Sequence, residues 1–273
     1  MGSPTEAIHQ PCPDCDSSDA LTVFSDGGTF CHSCGAHTNI KQDDIKGKAP
    51  FEYGDILPLD KRRIRVETCK RYGYARTDGK QIAPYYDMKS GRLIAQKIRD
   101  AHKNFTITGD AKKMGLFGIQ LARRGGKMIV VTEGEIDAMS VSQVMGNTWP
   151  VVSLPNGASS LGPLKDSLEF LETYDKVILC FDNDEPGHLA TEEALDLFSP
   201  GKAHTVSLGD YKDPNEMLQA GADKELRSSI WEAKQYRPDG VVQLSELKDK
   251  ISEPLKIGHA YPWLGLNEML YGY

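Results

Sequence analysis

From residue 127 onward, short unbroken apolar runs alternate with stretches of helical spacing. The runs are Met128–Val131, Val151–Leu154, Val177–Phe181 and Thr205–Leu208. Between them the apolar positions of Ile136–Val144, Leu164–Glu172 and Leu189–Phe198 recur at three- and four-residue intervals, and a last helix is predicted at 223–234. A continuous β-branched run reads as a strand buried on both faces, and its alternation with helices predicts a parallel sheet covered on both sides. Residues 51–125 read differently. They predict one helix, Val66–Tyr72, and hairpin strands Gln81–Tyr86 and Leu93–Arg99 joined near Lys89-Ser90-Gly91. Ahead of them, Thr22–Ser25 and Gly28–Phe30 read as short ribbon strands, and the polar stretch 41–50 reads as a tether. After Gly240 one amphipathic stretch stands out, Leu244–Ile251. The expected organisation is a small β module (1–40), a linker (41–54), a mixed α+β subdomain (55–126), an α/β subdomain (127–240) and a tail (241–273).

Charge changes this picture more than composition does. The net charge is −7 over 273 residues, which taken alone argues against nucleic acid. Residues 61–127, however, hold 18 Lys/Arg against 5 Asp/Glu, whereas residues 128–273 hold 11 against 24. A basic block beside an acidic one suits a protein that grips polyphosphate next to a metal site. The bland alternative is a merely solvated basic surface. No run approaches the roughly 20 apolar residues of a membrane span, and Met1–Glu6 has neither a basic nor an apolar leader region. A cytoplasmic protein without membrane contact is expected.

Cysteine spacing adds a metal. Cys12-Pro-Asp-Cys15 and Cys31-His-Ser-Cys34 lie 15 residues apart, the arrangement of a four-thiolate structural zinc site. Four thiolates leave no open coordination position, so such an ion is structural. Cys69 and Cys180 read as core thiols, and Trp149, Trp231 and Trp263 as packing residues.

The strand ends carry the remaining chemistry. The run ending at Thr132 leads into Glu133-Gly-Glu135-Ile-Asp137, and that ending at Phe181 leads into Asp182-Asn-Asp184-Glu-Pro-Gly187; Lys212-Asp213-Pro-Asn-Glu216 follows. Ligands in open α/β sheets sit at the carboxyl ends of the strands. Carboxylates gathered there repel one another unless a hard cation holds them, and oxygen-only donors select magnesium or manganese. Asp182 and Asp184, two apart, are expected on one side of an extended segment. Gly134 is expected to let the chain turn sharply, and Asp137 to orient the site or cap a helix. The competing reading of Asp-x-Asp is a helix N-cap. Phe105, beside Lys103, is weighed as a base-stacking surface against ordinary packing.

Taken together, Glu-Gly-Glu-x-Asp, Phe-Asp-x-Asp-x-x-Gly and Lys-Asp-Pro-Asn-Glu resemble the Toprim module of bacterial-type primases, some topoisomerases and certain nucleases. With the four-cysteine ribbon, Gln96-Lys-Ile-Arg-Asp100 and Lys103-Asn-Phe, the chain is similar to the primase half of short-tailed phage primase–helicases. These are relatives of the mitochondrial replicative helicase. The resemblance implies a Toprim-type parallel sheet with a basic α+β subdomain and a zinc ribbon. It also implies a DNA-templated RNA primase that makes short oligoribonucleotides on single-stranded DNA from ribonucleoside triphosphates. In that reading Glu133 is the essential acid, Asp182 and Asp184 bind one or two Mg2+ or Mn2+ ions with it, and Asp213 assists. Lys97, Arg99, Lys103 and Lys112 hold template and triphosphate. The zinc ribbon folds over the active site to read a template trinucleotide. A ring helicase beyond residue 273 and a DNA polymerase receiving the RNA primer are implied partners, in the cytoplasm of an infected bacterial cell.

Two positions depart from the family pattern. Gly28 stands where phage relatives carry a base-reading His, which leaves Asp26 as a base contact and the trinucleotide open. Ala101 stands in place of a Lys. No phosphate-loop motif occurs, so no NTP-driven motor is expected in this sequence, which reads as part of a longer primase–helicase or as a separate primase. The rivals are a non-catalytic single-stranded-DNA anchor for a helicase and a Toprim nuclease.

Overall fold

The computed structural model describes residues 5–12, 15, 17–24, 29–38 and 50–236, and beyond them only 262, 263, 265, 266 and 269. Asp26, Gly28, residues 41–49 of the tether and the stretch Leu244–Ile251 lie outside the described residues. Met1–Tyr236 form one compact unit and Arg237–Tyr273 a second. Among the described residues no helix is long and apolar enough to cross a membrane.

The first sheet is a four-stranded antiparallel ribbon of β1 (Thr5–Gln10), β2 (Leu21–Phe24), β3 (Thr29–Cys31) and β4 (His37–Thr38) in sequential order. After the helix α1 (Val66–Tyr72) comes a second antiparallel sheet of β5 (Ala75–Thr77), β6 (Lys80–Tyr86), β7 (Leu93–Arg99) and β8 (Phe105–Gly109), again in order. The α1 boundaries coincide with those predicted. Gly73 ends the helix in the left-handed conformation, at φ 66°, and its N–H returns to the carbonyls of Cys69 and Lys70.

The third sheet is built from β9 (Gly126–Thr132), β10 (Val151–Ser153), β11 (Tyr174–Cys180), β12 (Ala203–Thr205) and β13 (Lys234–Gln235). Its order is β10-β9-β11-β12-β13; the first four strands are parallel and β13 closes the edge antiparallel. The helix α2 (Glu135–Val144) connects β9 to β10. The short helices α3 (Gly162–Asp166) and α4 (Leu168–Leu171) precede β11, and α5 (Glu185–Leu195) precedes β12. Helices α6 (Pro214–Ala220) and α7 (Asp223–Trp231) lead to β13. From β9 the chain first runs outward to β10 and then crosses back to β11. This reversal opens a crevice between the carboxyl ends of β9 and β11, where such sheets bind ligands.

Two cores sandwich the sheet. One packs α2, α6 and α7 against Met128, Val130 and Ile178, and the other packs α3, α4 and α5 against Ile129, Val131, Val177 and Leu179. Alternate residues of each strand therefore feed opposite cores, which is why the runs are apolar at every position. Helix α2 is buried at eight of its ten residues, wedged between sheet and outer helices.

Beyond the unpredicted strands β1, β4, β8 and β13 and an α5 that starts four residues early, the structure departs from the predicted elements as follows. The helix expected over Leu164–Glu172 is broken at Ser167, whose hydroxyl bonds back to the Pro163 carbonyl. The strand expected at Thr205–Leu208 lies at Ala203–Thr205. Helix α6 was not predicted as an element, although Asp213-Pro214 is a helix-start signature.

Candidate metal and phosphate site at the sheet switch point

The zinc ribbon brings its four sulfurs together. Cys12 and Cys34 Sγ are 3.8 Å apart, Cys15 and Cys31 Sγ 3.7 Å, and all four lie within 4.8 Å of one another. A tetrahedron with Zn–S bonds near 2.3 Å has edges of about 3.8 Å, so the thiols already occupy the corners of a zinc site. Backbone N–H groups of Cys34 and Ser33 aimed at Cys31 bring its thiol down to about 7. The ribbon packs Leu21 and Val23 on Tyr86 and Leu93, at the turn end of the β6–β7 hairpin. Lys97 lies four residues further along β7, roughly 13 Å away. The ribbon's packed face thus lies at the far end of the hairpin, whereas the resemblance implies a module closed over the active site. A cavity of about 380 Å³ separates it from Tyr72, Ile119 and Phe170.

The switch point holds a second cavity, of about 460 Å³, lined among others by Glu133, Asp137, Asp182, Lys97 and Phe105. Glu133 follows β9. Its Oε1 accepts from the Ala158 N–H at 3.0 Å and its Oε2 from the Asp182 N–H at 3.4 Å. Asp182 follows Phe181 at the end of β11. Its Oδ1 is buried with no hydrogen-bond partner. Burial, then the charges of Glu133, Asp213 and Asp184, push its carboxyl up to about 7. Asp137, one turn into α2, is driven well above the usual range by burial and by Asp213 and Asp182. An acceptor atom left bare among repelling carboxylates is the condition a hard cation relieves.

Asp184 departs from expectation. It is the N-cap of α5, with Oδ1 accepting from the Gly187 N–H at 3.0 Å and Oδ2 paired with Lys212 Nζ at 3.1 Å. The cap bond first, then Lys212, hold its carboxyl below the usual range. The N-cap alternative is therefore realised in this residue, and Asp182 and Asp184 do not both line the cavity: the helix start turns Asp184 aside. Asp213 likewise caps α6, accepting from the Glu216 N–H at 2.7 Å, while Glu216 reaches back to the Lys212 N–H. Among the described residues the four cysteines are the one group of three or more His, Cys, Asp or Glu whose ligand atoms converge within 4.8 Å.

Glycine matters here through close approach. A Cβ on Gly187 would meet the Asp182 carbonyl oxygen at 2.1 Å, so α5 starts directly against the strand end only because position 187 is bare. Gly134, expected to turn the chain sharply, has ordinary extended backbone at φ −122°; a Cβ there would instead stand 2.9 Å from Asp137 Oδ2.

The cationic side is divided. Lys97 Nζ donates to the Pro155 carbonyl at 2.7 Å and pairs with Glu135 at 2.9 Å, and Glu135 also accepts from the Tyr85 hydroxyl. Arg99 lies beside Phe105, its Nε buried without a partner. Lys103 stands at φ 69° in the β7–β8 turn, exposed on a loop that Asp100 braces through the N–H groups of His102 and Asn104. Lys112 is exposed in a single turn after β8. Neither Lys103 nor Lys112 lines the cavity.

Sequence reasoning missed Glu135, Lys212 and Asn215. Asn215 is 1 % exposed and joins three elements. It donates to the Arg62 carbonyl and Ser140 Oγ, accepts from Arg62 Nη1, and gives its own N–H to Asp137. The only signal was its place in the Lys-Asp-Pro-Asn-Glu motif.

Residues 8–40 match the zinc-binding domain of primase-helicase, 54–109 the N-terminal α+β fold of bacteriophage T7 DNA helicase/primase, and 130–218 a Toprim-like family. The chain is 36% identical to the DNA helicase/primase of Enterobacteria phage T3 over 97% of its own length. It spans about half, 51%, of that protein. It resembles the crystal structure of the primase fragment of the bacteriophage T7 primase-helicase at 37% identity and TM-score 0.63, covering 82% of this chain and 99% of that one. A second structure contains primase domains of phage T7 with its lagging-strand DNA polymerase, an RNA/DNA hybrid and dTTP. It matches at 40% identity and TM-score 0.62, over 67% of this chain and 94% of that one.

Proposed function

The chain belongs to the phage T7-type primase–helicase family, and from that premise we propose that it is a DNA-templated RNA primase. It would join ribonucleoside triphosphates on single-stranded DNA and release pyrophosphate. One observation carries this reading: two carboxylates from adjacent parallel strands, Glu133 and Asp182, line one cavity with Lys97, and Asp182 Oδ1 is bare.

In this reading Glu133 and Asp182 hold a divalent cation, Mg2+ or Mn2+, with Asp137 within reach, and Asp184 joins once Lys212 lets it go. When bound, the cation supplies Lewis-acid activation of the attacking 3′-hydroxyl and neutralises charge on the leaving pyrophosphate. Glu133 is positioned beside the cavity by the Ala158 and Asp182 N–H groups. Asp213 acts at a distance, its negative charge raising the Asp182 carboxyl and so favouring a cation between them. Lys97 receives phosphate at the cavity wall, with Arg99 behind it beside Phe105, while Lys103 and Lys112 sit further out, where a template strand would pass. Asp26 serves as a base contact on the ribbon, whose structural zinc holds its strands in place. The partners that fit are single-stranded DNA, a DNA polymerase taking over the RNA primer, and a ring helicase in a longer protein, in the cytoplasm of an infected bacterium.

The test is primer synthesis over a library of single-stranded templates with all four ribonucleotides and Mg2+. Wild type should yield short oligoribonucleotides on a subset of templates, which also reads out the recognition sequence. Undiminished yield from Glu133→Gln would end the assignment. Template binding without incorporation by wild type would favour the anchor reading, and Mg2+-dependent cutting of template the nuclease.

A further inference from the structure

Strand β8 is the outer edge of its sheet, and its first three residues, Phe105, Thr106 and Ile107, are all exposed. Phe105 keeps 58% of its surface open and Ile107 39%. The register sets Phe105 opposite Arg99 and Ile107 opposite Lys97, so these four side chains share one face of the sheet. Lys97 Nζ lies 4.9 Å and Arg99 Cζ 5.8 Å from the centre of the Phe105 ring. Phe105 and Ile107 line the same cavity as Glu133 and Asp182. Lone exposed aromatics are common on protein surfaces. This one differs in three respects: two cations from one strand lie over it, an apolar neighbour extends its surface, and it faces the carboxylates.

We propose that Phe105 is a stacking platform for a nucleobase, positioning a nucleotide for reaction at the carboxylate edge. The physical case is that every base has a π-face, whereas phosphate has none. A nucleotide entering the cavity meets a flat apolar ring for its base. Its phosphates meet the positive charge of two cations held beside that ring. Ile107, on the same face and lining the same cavity, extends the apolar ledge. The role is sequence-tolerant, because stacking distinguishes bases by area more than by hydrogen-bond pattern. The inference deepens the primase reading and rests on it. The shared chemistry is a nucleobase, which the incoming ribonucleotide or the template strand can supply.

The experiment uses the full chain with Phe105→Ala, Phe105→Leu and Phe105→Trp. Initial rates of primer synthesis give KM and kcat for ATP and CTP, and anisotropy of a labelled single-stranded oligonucleotide gives a template Kd without nucleotide. With the incoming base on the platform, Ala and Leu each raise KM about ten-fold, more for ATP than CTP, with the loss on KM and not kcat, and Trp restores it. With a template base there, the same pattern moves to the template Kd. Two results overturn the proposal: all three variants matching wild type in both KM and Kd, or Leu matching Phe while Ala fails, which marks apolar packing alone. If wild type makes no oligoribonucleotide, the primase reading fails, and oligonucleotide Kd together with calorimetric ATP binding still decides the platform.

Discussion

The two metal-type sites of this chain are built on opposite principles. In the ribbon, two tight knuckles set four thiols at tetrahedral spacing, with backbone N–H groups favouring the thiolate of Cys31. At the sheet edge each carboxylate has another partner: Glu133 takes two backbone N–H groups, Asp184 a helix start and Lys212, Asp213 a helix start. Among the described carboxylates at this edge, Asp182 Oδ1 is the buried oxygen left bare. A structural site must be complete to hold a fold too small for its own core. A site that also has to admit and release substrate gains from ligands held short of convergence.

The sharpest break in this contrast is Glu133→Gln. Primer synthesis should fall at least about 1000-fold, since a ligand and its charge are lost together, with zinc content unchanged by elemental analysis. Cys31→Ser reverses the pattern. Bound zinc should drop from one equivalent towards none and the ribbon should become protease-sensitive, while the melting transition of the catalytic body persists. A third measurement follows pH. The Asp182 carboxyl, near 7 in the metal-free fold against about 4 unfolded, favours the folded state while protonated. That contribution is complete below about pH 4 and is lost as pH rises through about 7. In chelator, Asp182→Asn should therefore melt above wild type at pH 8 and converge with it near pH 4. Added Mg2+ should close the gap at pH 8 by stabilising wild type alone. The smallest effect belongs to Asp184→Ala, which removes a helix cap of about 1 kcal/mol, some 2–4 °C in melting temperature. It should cost less activity than Glu133→Gln; an equal loss would place Asp184 among the essential ligands despite its cap.

Much of this architecture was legible beforehand, and the reason is periodicity. The unbroken runs Met128–Val131 and Val177–Phe181 are short and rich in β-branched residues, which favours strands covered on both faces, and the Val66–Tyr72 helix ends at a glycine that terminates it. The cysteine spacing carried the ribbon because a Cys-x-x-Cys knuckle is a local structure. The sheet-edge chemistry was less legible because it depends on where helices begin. Asp-x-Asp implies a shared face only if the chain stays extended, and Gly187 lets α5 start against Asp182, diverting Asp184. Lys97 reads as a free phosphate-binding cation, yet its partners Glu135 and Pro155 lie 38 and 58 positions away in the chain. Asn215 was hidden for the same reason, since a buried amide joining three elements has no local signature.

Lys97 has a consequence for substitution. Its ammonium aims one proton at the loop after β10, whose Ala158 N–H steadies Glu133, and another at the first turn of α2. That leaves a third for an arriving anion, in a tripod that a flat guanidinium cannot reproduce. Arginine here would keep the charge and lose the shape, so the residue works as a three-way joint whose geometry, more than its sign, ties the antiparallel sheet to the parallel one.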